Sequence, residues 1–271
     1  MKIDYKNIKI RIRTPLTYYG GKQNLINTIV PMIPQHRIYC EPFLGGAAIF
    51  FAKGKSRVEV INDTNLELIN FYKICKNRFN ELQSLIRVTL YSREQHDEAR
   101  IIYNKPHLFD EVRRAWAVWV LAHQSFNSDF DSAWGTDNIK SCGPTKITNK
   151  KEVFAEELAL RLQNVQIENA DAIYIIQHRD AAETFFYCDP PYFNADMGHY
   201  DGYTIEDFEL LLKTLSGIKG KFLLSSYPST VLDGFVEKFG WKQNEIKGTT
   251  PARLKKKRKA KTEVLTWNYS L

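Results

Sequence analysis

The chain has 271 residues, of which 44% are apolar and 25% charged, and this composition is typical of a globular protein and excludes an intrinsically disordered one. Its apolar runs are too short to span a membrane, and no apolar signal segment follows the basic N-terminal residues, so we expect neither a membrane protein nor a secreted one. The net charge of +7 lies in residues 253–261, which hold seven Lys or Arg and no acid; without them 31 basic residues balance 31 acidic ones.

This basic stretch has two interpretations that its charge alone leaves open. Positive charge concentrated in nine residues predicts contact with a polyanion such as nucleic acid. A solvated loop kept basic for solubility would have the same composition.

The cysteines and histidines predict a metal-free protein with free thiols. The four cysteines are scattered and form no C-x-x-C pair, and the six histidines form no zinc-binding array. A disulfide framework is not expected in a chain of this size, so the sequence predicts a cytoplasmic location.

The predicted elements begin in the order strand, turn, helix, strand, carboxylate, helix. This order is the opening of a doubly wound, mostly parallel sheet with helices on its faces. The segments are a strand at 37–43, the turn Gly45-Gly46, a helix at 47–52, a strand at 58–62, Asp63 and a helix at 65–74.

The strand pattern then stops and resumes after residue 151. Residues 77–151 are helix-rich with a polar loop, and we interpret them as an inserted subdomain whose core includes Trp116 and Trp119. Residues 1–76 and 152–271 would form the α/β core. Its later strands are predicted at 165–168, 184–188 and 221–226, followed by an edge hairpin of 241–246 and 263–269 that brackets the basic stretch.

Asp189-Pro-Pro-Tyr192 is the most informative motif, because it directly follows an apolar strand. Two prolines cannot continue a strand ladder, so the chain leaves the sheet stiffly and holds the Asp189 carboxylate and the Pro190 carbonyl at the carboxyl end of the strand. Ligands of doubly wound sheets bind at that edge. Two acceptors beside the Tyr192 ring suit a flat group with two hydrogens to donate, such as an amino-nucleobase or an amide.

The turn Glu41-Pro-Phe-Leu-Gly-Gly46 and Asp63 follow the first two predicted strands. Glycines allow a ligand to approach the backbone closely, and a carboxylate after the second strand suits the hydroxyls of a ribose. A dinucleotide-dependent oxidoreductase would offer the same pair, but no G-x-G-x-x-G is present, and Gly20-Gly21-Lys22-Gln23 does not complete a P-loop. Glu41 either contacts the ligand or orients the turn.

Taken in order, Thr14-Pro-Leu-Thr-Tyr-Tyr-Gly-Gly-Lys22, Glu41-Pro-Phe-Leu-Gly-Gly46 and Asp189-Pro-Pro-Tyr192 resemble the Dam-type (D12 class) N6-adenine DNA methyltransferases. The resemblance runs from about Thr14 to the C-terminus and is weakest in the insert. It implies a Rossmann-like methyltransferase core, S-adenosylmethionine as cofactor, a flipped adenine in double-stranded DNA as substrate, and a target-recognition role for residues 77–151.

The resemblance also implies roles for single residues. Asp189, Pro190 and Tyr192 would act on the adenine, with Asp189 also beside the cofactor. Ala47 departs from the family, which commonly has a second glycine there, so we expect a slightly shifted turn that still binds cofactor. The implied cofactor contacts are Tyr18, Lys22 near the methionine carboxylate, Phe43, Gly45, Asp63 on the ribose and Asp171 on the adenine of the cofactor.

Contacts to DNA are predicted from residue type alone. In the insert, Gln124, Asn127 and Lys140 suit base edges or phosphates. In the basic stretch the candidates are Arg253, Lys255, Lys256, Lys257 and Arg258. The sequence identifies neither the recognition site nor the oligomeric state, and it leaves open whether a cognate restriction endonuclease accompanies the protein.

Three other functions fit parts of the pattern. N4-cytosine methylation of DNA would use the same acceptors but more often has Ser at the position of Asp189. Methylation of protein glutamine commonly has Asn there and needs no DNA-reading insert. A DNA-binding module with a decayed methyltransferase site would not be expected to keep both Asp63 and Asp189.

Overall fold

The computed structural model describes residues 12–136, 142–193, 202–247 and 262–271. Its strands form one seven-stranded sheet in the order β3-β2-β1-β4-β5-β7-β6. The strands are β1 Ile38–Glu41, β2 Val58–Asn62, β3 Gln166–Glu168, β4 Thr184–Cys188, β5 Lys221–Ser226, β6 Lys242–Lys247 and β7 Thr262–Trp267.

The central strands are parallel and the last two are antiparallel. In register, Cys40 of β1 lies beside Val60 of β2 and Phe186 of β4, and Phe186 lies beside Phe222 of β5. β7 runs antiparallel to both β5 and β6, so β6 and β7 form the predicted hairpin at the edge of the sheet. Because β1, β2, β4 and β5 are parallel, their carboxyl ends share one edge, where doubly wound sheets bind ligands.

The α-helices alternate with the strands and also fill the region between β2 and β3. They are α1 Ile26–Ile29, α2 Ala48–Ala52, α3 Leu66–Asn77, α4 Phe79–Val88, α5 Arg93–Asn104, α6 Glu111–Gln124, α7 Cys142–Glu152, α8 Glu157–Leu162, α9 Ala172–Arg179, α10 Ile205–Gly217 and α11 Thr230–Phe239. Side-chain N-caps start several of them: Asn65 accepts the backbone N–H groups of Glu67 and Leu68 at α3, and Asp110 does the same at α6.

The chain divides into two compact units. The sheet unit contains Ile33–Phe43, Ser56–Asn62 and Ala170–Leu271, and the helical unit contains Met1–Met32, Leu44–Lys55 and Asp63–Asn169. In the sheet unit, buried side chains of the strands pack with those of α9, α10 and α11; this core includes Cys40, Val60, Ile176, Phe186, Cys188, Leu212 and Leu224.

In the helical unit, α6 is the buried central helix. Trp116 and Trp119 are 5% and 0% exposed, which confirms the prediction that they belong to the core. Arg114 of α6 donates two hydrogen bonds to the Glu67 carboxylate of α3, at 2.6 and 2.9 Å. This bidentate pair satisfies a buried carboxylate and fixes the two helices in register.

The predicted fold class is confirmed, and the second, fourth and fifth predicted strands have the predicted bounds. The other strands differ from prediction by one to three residues at their ends, where fraying and turn formation decide the boundary. No helix in the described ranges is long and apolar enough to cross a membrane. Among these residues, no group of three His, Cys, Asp or Glu side chains is arranged to hold a metal ion.

Candidate active site

The Asp189-Pro-Pro-Tyr192 motif leaves the sheet at the end of β4. All five residues of β4 are buried, and the strand is paired on both sides, by β1 and by β5. Pro190 and Pro191 carry no backbone N–H, so the ladder ends there and the backbone is held in a restricted φ range. Pro190 is buried and Asp189 is half-buried, which places a stiffly held carboxylate at the carboxyl edge of the sheet.

A network of side chains surrounds Asp189 within the sheet unit. The Tyr192 hydroxyl lies 3.2 Å from Oδ1 of Asp189, 3.2 Å from Oγ of Ser225 and in a short hydrogen bond to Oε1 of Glu263. Ser225 also donates a hydrogen bond to Oε1 of Glu263. We call Asp189, Tyr192, Ser225 and Glu263 the acceptor cluster, because it gathers two carboxylates around one phenol.

Tyr192 is a hydrogen-bond donor in this cluster. Burial, together with the negative charges of Asp189 and Glu263, raises its pKa well above the ordinary value, so the hydroxyl keeps its proton. The Tyr192 ring packs against that of Tyr227, with the ring centroids 4.3 Å apart and the planes inclined by 60°. Both ends of the Tyr192 side chain are therefore held.

Other polar residues of the sheet unit brace the loops at the same edge. Asn62, which is fully buried, donates to the carbonyls of Pro42 at 2.9 Å and Ala170 at 3.0 Å, and accepts the N–H of Ala170. Glu41 is buried and accepts the Tyr39 hydroxyl at 2.7 Å. Buried amide and carboxyl groups with such partners hold the loops after β1 and β2 in one conformation.

Besides Asp189, two predicted cofactor contacts lie in the sheet unit. Phe43 is partly buried and packs against the apolar core. Asp171 is exposed and caps α9, because its side chain accepts the N–H of Tyr174 at 3.0 Å. The helix cap by itself accounts for an Asp at that position.

In the helical unit, residues 44–47 form a turn that we call the glycine turn, and Asp63 is bonded to it. Oδ2 of Asp63 accepts the N–H of Gly45 at 2.9 Å, and Oδ1 accepts the N–H of Asn65 at 2.9 Å. Gly45 has a φ of +48°, and a Cβ added to it would lie 3.1 Å from Cδ1 of Tyr18. Glycine is therefore required by both the backbone conformation and the close approach of Tyr18.

These residues fit a ligand that carries a diol. A carboxylate offers about four acceptor positions, and the backbone N–H groups of Gly45 and Asn65 occupy one on each oxygen of Asp63, with Thr64 as a further backbone donor. The remaining acceptor capacity can take up hydroxyl groups, and the backbone bonds hold the carboxylate in place to do so. Burial raises the pKa of Asp63 above its ordinary value, an effect that the backbone hydrogen bonds from Asn65, Gly45 and Thr64 oppose.

The segment that carries Tyr18 and Lys22 is anchored by a buried histidine. Nε2 of His123 donates to the carbonyl of Pro15 at 3.0 Å, and Nδ1 lies 3.3 Å from Oγ1 of Thr17. Lys22 is 7% exposed, and its ammonium donates to the carbonyl of Gly20 at 2.9 Å. A buried ammonium has three donors and suits an anionic ligand group, which is compatible with the predicted contact to a carboxylate.

Ala47 ends the glycine turn in the left-handed conformation, with φ at +56°. An L-residue with a Cβ is strained there, whereas glycine is not. At Ala47 the turn thus combines a backbone conformation typical of glycine with a methyl group.

The loop after α6 contains the predicted DNA contacts that the structure describes. Asn127 is exposed and has a φ of +56°, next to Phe126, which is 61% exposed. Gln124, by contrast, is 1% exposed; its amide donates to the carbonyl of Leu90 and accepts the N–H of Ser92. The structure gives Gln124 a structural role, because its polar atoms hold the loop. Its contact to a base edge or a phosphate stays a prediction.

The remaining predicted DNA contacts lie outside the described residues. They are Lys140, Arg253, Lys255, Lys256, Lys257 and Arg258.

An aromatic contact joins the loop after α6 to the residues around the glycine turn, all within the helical unit. The Phe130 ring lies edge-on to Tyr18, with centroids 5.5 Å apart, and to Tyr103 at 5.4 Å. The Tyr103 hydroxyl in turn accepts a hydrogen bond from Asn65 at 2.9 Å. Phe130 is 8% exposed, so burial of one loop side chain orders both neighbours.

Sequence inspection missed Ser225, Glu263, Asn62 and His123. The β5–β7 register pairs Ser225 with Leu265, and Glu263 lies two residues from Leu265 on the same face. Residues paired across strands share a face, so a correctly paired hairpin would have predicted that Ser225 and Glu263 are diagonal neighbours. No comparable signal marks His123 or Asn62.

Comparison with known proteins gives a consistent family. Residues 18–245 match the D12 class N6 adenine-specific DNA methyltransferase family. The Type II methyltransferase M1.LlaDCHI of Lactococcus lactis subsp. cremoris is 27% identical over 294 residues, covering 99% of each chain. The DNA N-6-adenine-methyltransferase of Escherichia phage P1 is 30% identical over 118 residues, 42% of this chain and 15% of that one. The DNA adenine methylase of Escherichia coli (strain K12) is 25% identical over 228 residues, 76% of each chain.

Proposed function

Because the chain belongs to the D12 class of N6 adenine-specific DNA methyltransferases, we propose that it transfers the methyl group of S-adenosylmethionine to N6 of an adenine extruded from double-stranded DNA. The observation that carries this proposal is the acceptor cluster at the end of β4, where Asp189 is rigidly held beside Tyr192. The family match favours adenine over cytosine as the base and DNA over protein as the substrate.

The helical unit supplies the residues that would hold the cofactor. When bound, S-adenosylmethionine supplies an electrophilic methyl group on a sulfonium. Asp63 would accept the two ribose hydroxyls with the acceptor positions that Gly45 and Asn65 leave on its oxygens. The buried ammonium of Lys22 would lie near the methionine carboxylate, with Tyr18 and Gly45 beside it. Phe43 and Asp171 stay proposed contacts on the strength of the family resemblance.

The acceptors explain how an amino group could react. The lone pair of the adenine amino nitrogen is delocalised into the ring, which makes it a weak nucleophile. Hydrogen bonds from its two N–H groups to the Asp189 carboxylate and the Pro190 carbonyl would localise that lone pair. The nitrogen would form its bond to the methyl carbon as the carbon–sulfur bond breaks, and it would then lose one amino proton. The fixed carboxylate of Asp189 would stabilise the positive charge that develops on the nitrogen. The Tyr192 ring gives the extruded base a face on which to stack.

Recognition of DNA is proposed for residues 77–151. Exposed Asn127 and Phe126 at the loop after α6 support this role, since a polar and an apolar side chain are presented together on a strained turn. The basic residues 253–258 are proposed to neutralise phosphates. A cytoplasmic location is compatible with a DNA substrate and stays a prediction.

The phosphate contacts have a direct test in the salt dependence of DNA affinity. Each phosphate neutralised adds ~0.9 to the slope of log affinity against log salt, so changing Lys255, Lys256 and Lys257 to Ala should flatten it by up to about 2.7. Affinity should fall equally on all DNA sequences, and the preferred methylation site should not change. An unchanged slope would identify the basic stretch as a solvated loop.

The test of the proposed function is a transfer assay with S-adenosylmethionine labelled in its methyl group. The protein is incubated with mixed-sequence duplex DNA, the DNA is digested to nucleosides, and the labelled nucleoside is identified. The expected product is N6-methyladenosine in its deoxy form. Labelled N4-methylcytosine or labelled protein would contradict the proposal, and so would DNA binding without any transfer.

A further inference from the structure

We propose that Glu263, on β7 and beyond the matched family region, is a positioning residue for methyl transfer, which holds the Tyr192 hydroxyl and thereby keeps Asp189 available to the substrate amino group. This inference rests on the proposed function of Asp189 and Tyr192. The family match assigns no role to Glu263, because the matched region ends at residue 245.

The geometry around the Tyr192 hydroxyl carries the argument. The hydroxyl has one proton and two carboxylates within reach, namely Asp189 at 3.2 Å and Glu263 in a shorter bond. A single proton makes one good hydrogen bond, and the 3.2 Å contact to Asp189 is longer than the usual O–H···O bond of about 2.5–3.0 Å. Tyr192 therefore donates to Glu263 in preference to Asp189.

Ser225 strengthens the same assignment. Its hydroxyl also donates to Oε1 of Glu263, and its oxygen lies 3.2 Å from that of Tyr192. Two hydroxyl donors thus converge on one carboxylate oxygen. Charge-assisted hydrogen bonds are roughly twice as strong as neutral ones, so Glu263 fixes both hydroxyls on a sheet framework.

Removing Glu263 would change the chemistry at Asp189. Burial and both carboxylates raise the pKa of Tyr192 well above its ordinary value, so the hydroxyl keeps its proton. In Glu263→Gln the neutral amide oxygen is a weaker acceptor than a carboxylate, so this proton turns toward Asp189. Asp189 is 3.2 Å away and would receive it. A donor on the Asp189 carboxylate withdraws electron density from the group that is proposed to accept the amino hydrogens.

The experiment is a double-mutant cycle between Glu263→Gln and Tyr192→Phe, with single-turnover methylation measured at saturating cofactor and DNA. Glu263→Gln should slow methyl transfer by about 10- to 100-fold, the effect of one charge-assisted hydrogen bond. Dissociation constants for DNA and for S-adenosylhomocysteine should stay within about twofold. In the Tyr192→Phe background, Glu263→Gln should cost little more, because the hydroxyl it controls is already absent.

A matched control distinguishes the specific position of Glu263 from the general loss of one negative charge. Glu245→Gln removes a carboxylate on the neighbouring strand, where Glu245 is exposed and pairs with Val264, and it should methylate at the wild-type rate. Thermal unfolding is measured for every variant. Where Glu263→Gln does not fold, the same cycle is run with Ser225→Ala, which removes one of the donors that hold Glu263.

The outcomes distinguish this inference from the function on which it rests. A wild-type protein that transfers no methyl group to adenine overturns the proposed function. Two results would overturn only the positioning role, provided that the wild-type protein methylates adenine. In the first, Glu263→Gln methylates as fast as the wild type. In the second, the rate reductions of Glu263→Gln and Tyr192→Phe multiply in the double variant. A parallel loss of stability, cofactor affinity and rate in Glu263→Gln would identify Glu263 as structural and would also overturn it.

Discussion

The acceptor cluster and the glycine turn hold the carboxylates of Asp189 and Asp63 by different means. The Asp189 carboxylate contacts a side chain, the Tyr192 hydroxyl, which also donates a hydrogen bond to Glu263. Asp63 is bonded to the backbone, because Gly45 donates its N–H to it. Side-chain partners orient a carboxylate but do not fix the backbone conformation. Backbone donors tie the carboxylate to the conformation of the chain around it. Substitution should therefore affect chemistry alone in the first case and both binding and stability in the second.

The sharpest test of this difference is Asp189→Ala. Losing one fixed electrostatic partner of the transition state costs ~10²–10³ in rate, and we expect methylation in a single-turnover assay to fall by at least that factor. The free energy of unfolding should change little, because Glu263 still accepts the Tyr192 hydroxyl. Glu209→Ala, an exposed acid on α10, is the control and should retain full activity. Normal turnover by Asp189→Ala would refute the proposed mechanism.

Asp63→Ala should act on two properties at once. Cofactor affinity should fall by about 10- to 100-fold, since a charge-assisted contact to a diol is removed. The free energy of unfolding should also fall by about 1–3 kcal/mol, because the N–H groups of Gly45 and Asn65 lose their acceptor. Calorimetric titration and denaturant unfolding measure the two effects. A loss of stability with unchanged cofactor affinity would move the ribose site away from Asp63.

The same carboxylate predicts a pH dependence of cofactor binding. Burial raises the pKa of Asp63, so this group takes up a proton at a higher pH than an ordinary aspartate. Cofactor affinity should decline as the pH falls through that raised pKa, because the protonated group loses the charge that favours two hydroxyl donors. Titrations at several pH values in the wild type and in Asp63→Ala check this, and the variant should lack the dependence.

His123 gives the helical unit an acid-sensitive anchor that the acceptor cluster does not share. Burial, with a smaller contribution from Lys150, lowers its pKa well below the ordinary 6.5. The unfolded chain then binds a proton below pH 6.5 that the folded chain does not, so stability is full above that pH and is lost as the pH falls. The loss should approach about 1.4 kcal/mol per pH unit.

Unfolding by denaturant between pH 7 and pH 5 measures this effect. His123→Gln, which keeps a donor and an acceptor for Pro15 and Thr17 without titrating, should flatten the dependence. His178→Gln removes an exposed histidine on α9 and should leave it as in the wild type. Equal pH dependence in all three proteins would exclude His123 as the anchor.

The two clusters also differ in how far the sequence predicts them. Local sequence patterns predict Asp189 and Asp63 as site residues, because each carboxylate directly follows an apolar strand. They also predict the order of the strands along the chain. Glu263 and Ser225 lie in the same cluster as Asp189 because of the register between β5 and β7. The sequence does not predict this register, because residues 248–261 separate the two strands of the hairpin. The burial of Gln124 does not follow from the sequence, because a polar residue in a loop-rich segment can equally be the buried support of that loop.

The smallest expected effect concerns Ala47 and tests whether the glycine turn is strained by its own sequence. With φ at +56°, Ala47 has a conformation that costs an L-residue about 1–2 kcal/mol. Glycine would relieve this strain but lose more entropy on folding, so Ala47→Gly should raise the free energy of unfolding by about 0.5–1 kcal/mol. Ala52→Gly, at the other end of α2, lies in helical backbone and should lower it by a similar amount. In denaturant unfolding, the two variants should change the free energy of unfolding in opposite directions if the turn is strained. Both should lower it if φ at Ala47 is relaxed in solution. Because Asp63 is bonded to the N–H of Gly45, two residues earlier, relief of strain at Ala47 should leave cofactor affinity unchanged.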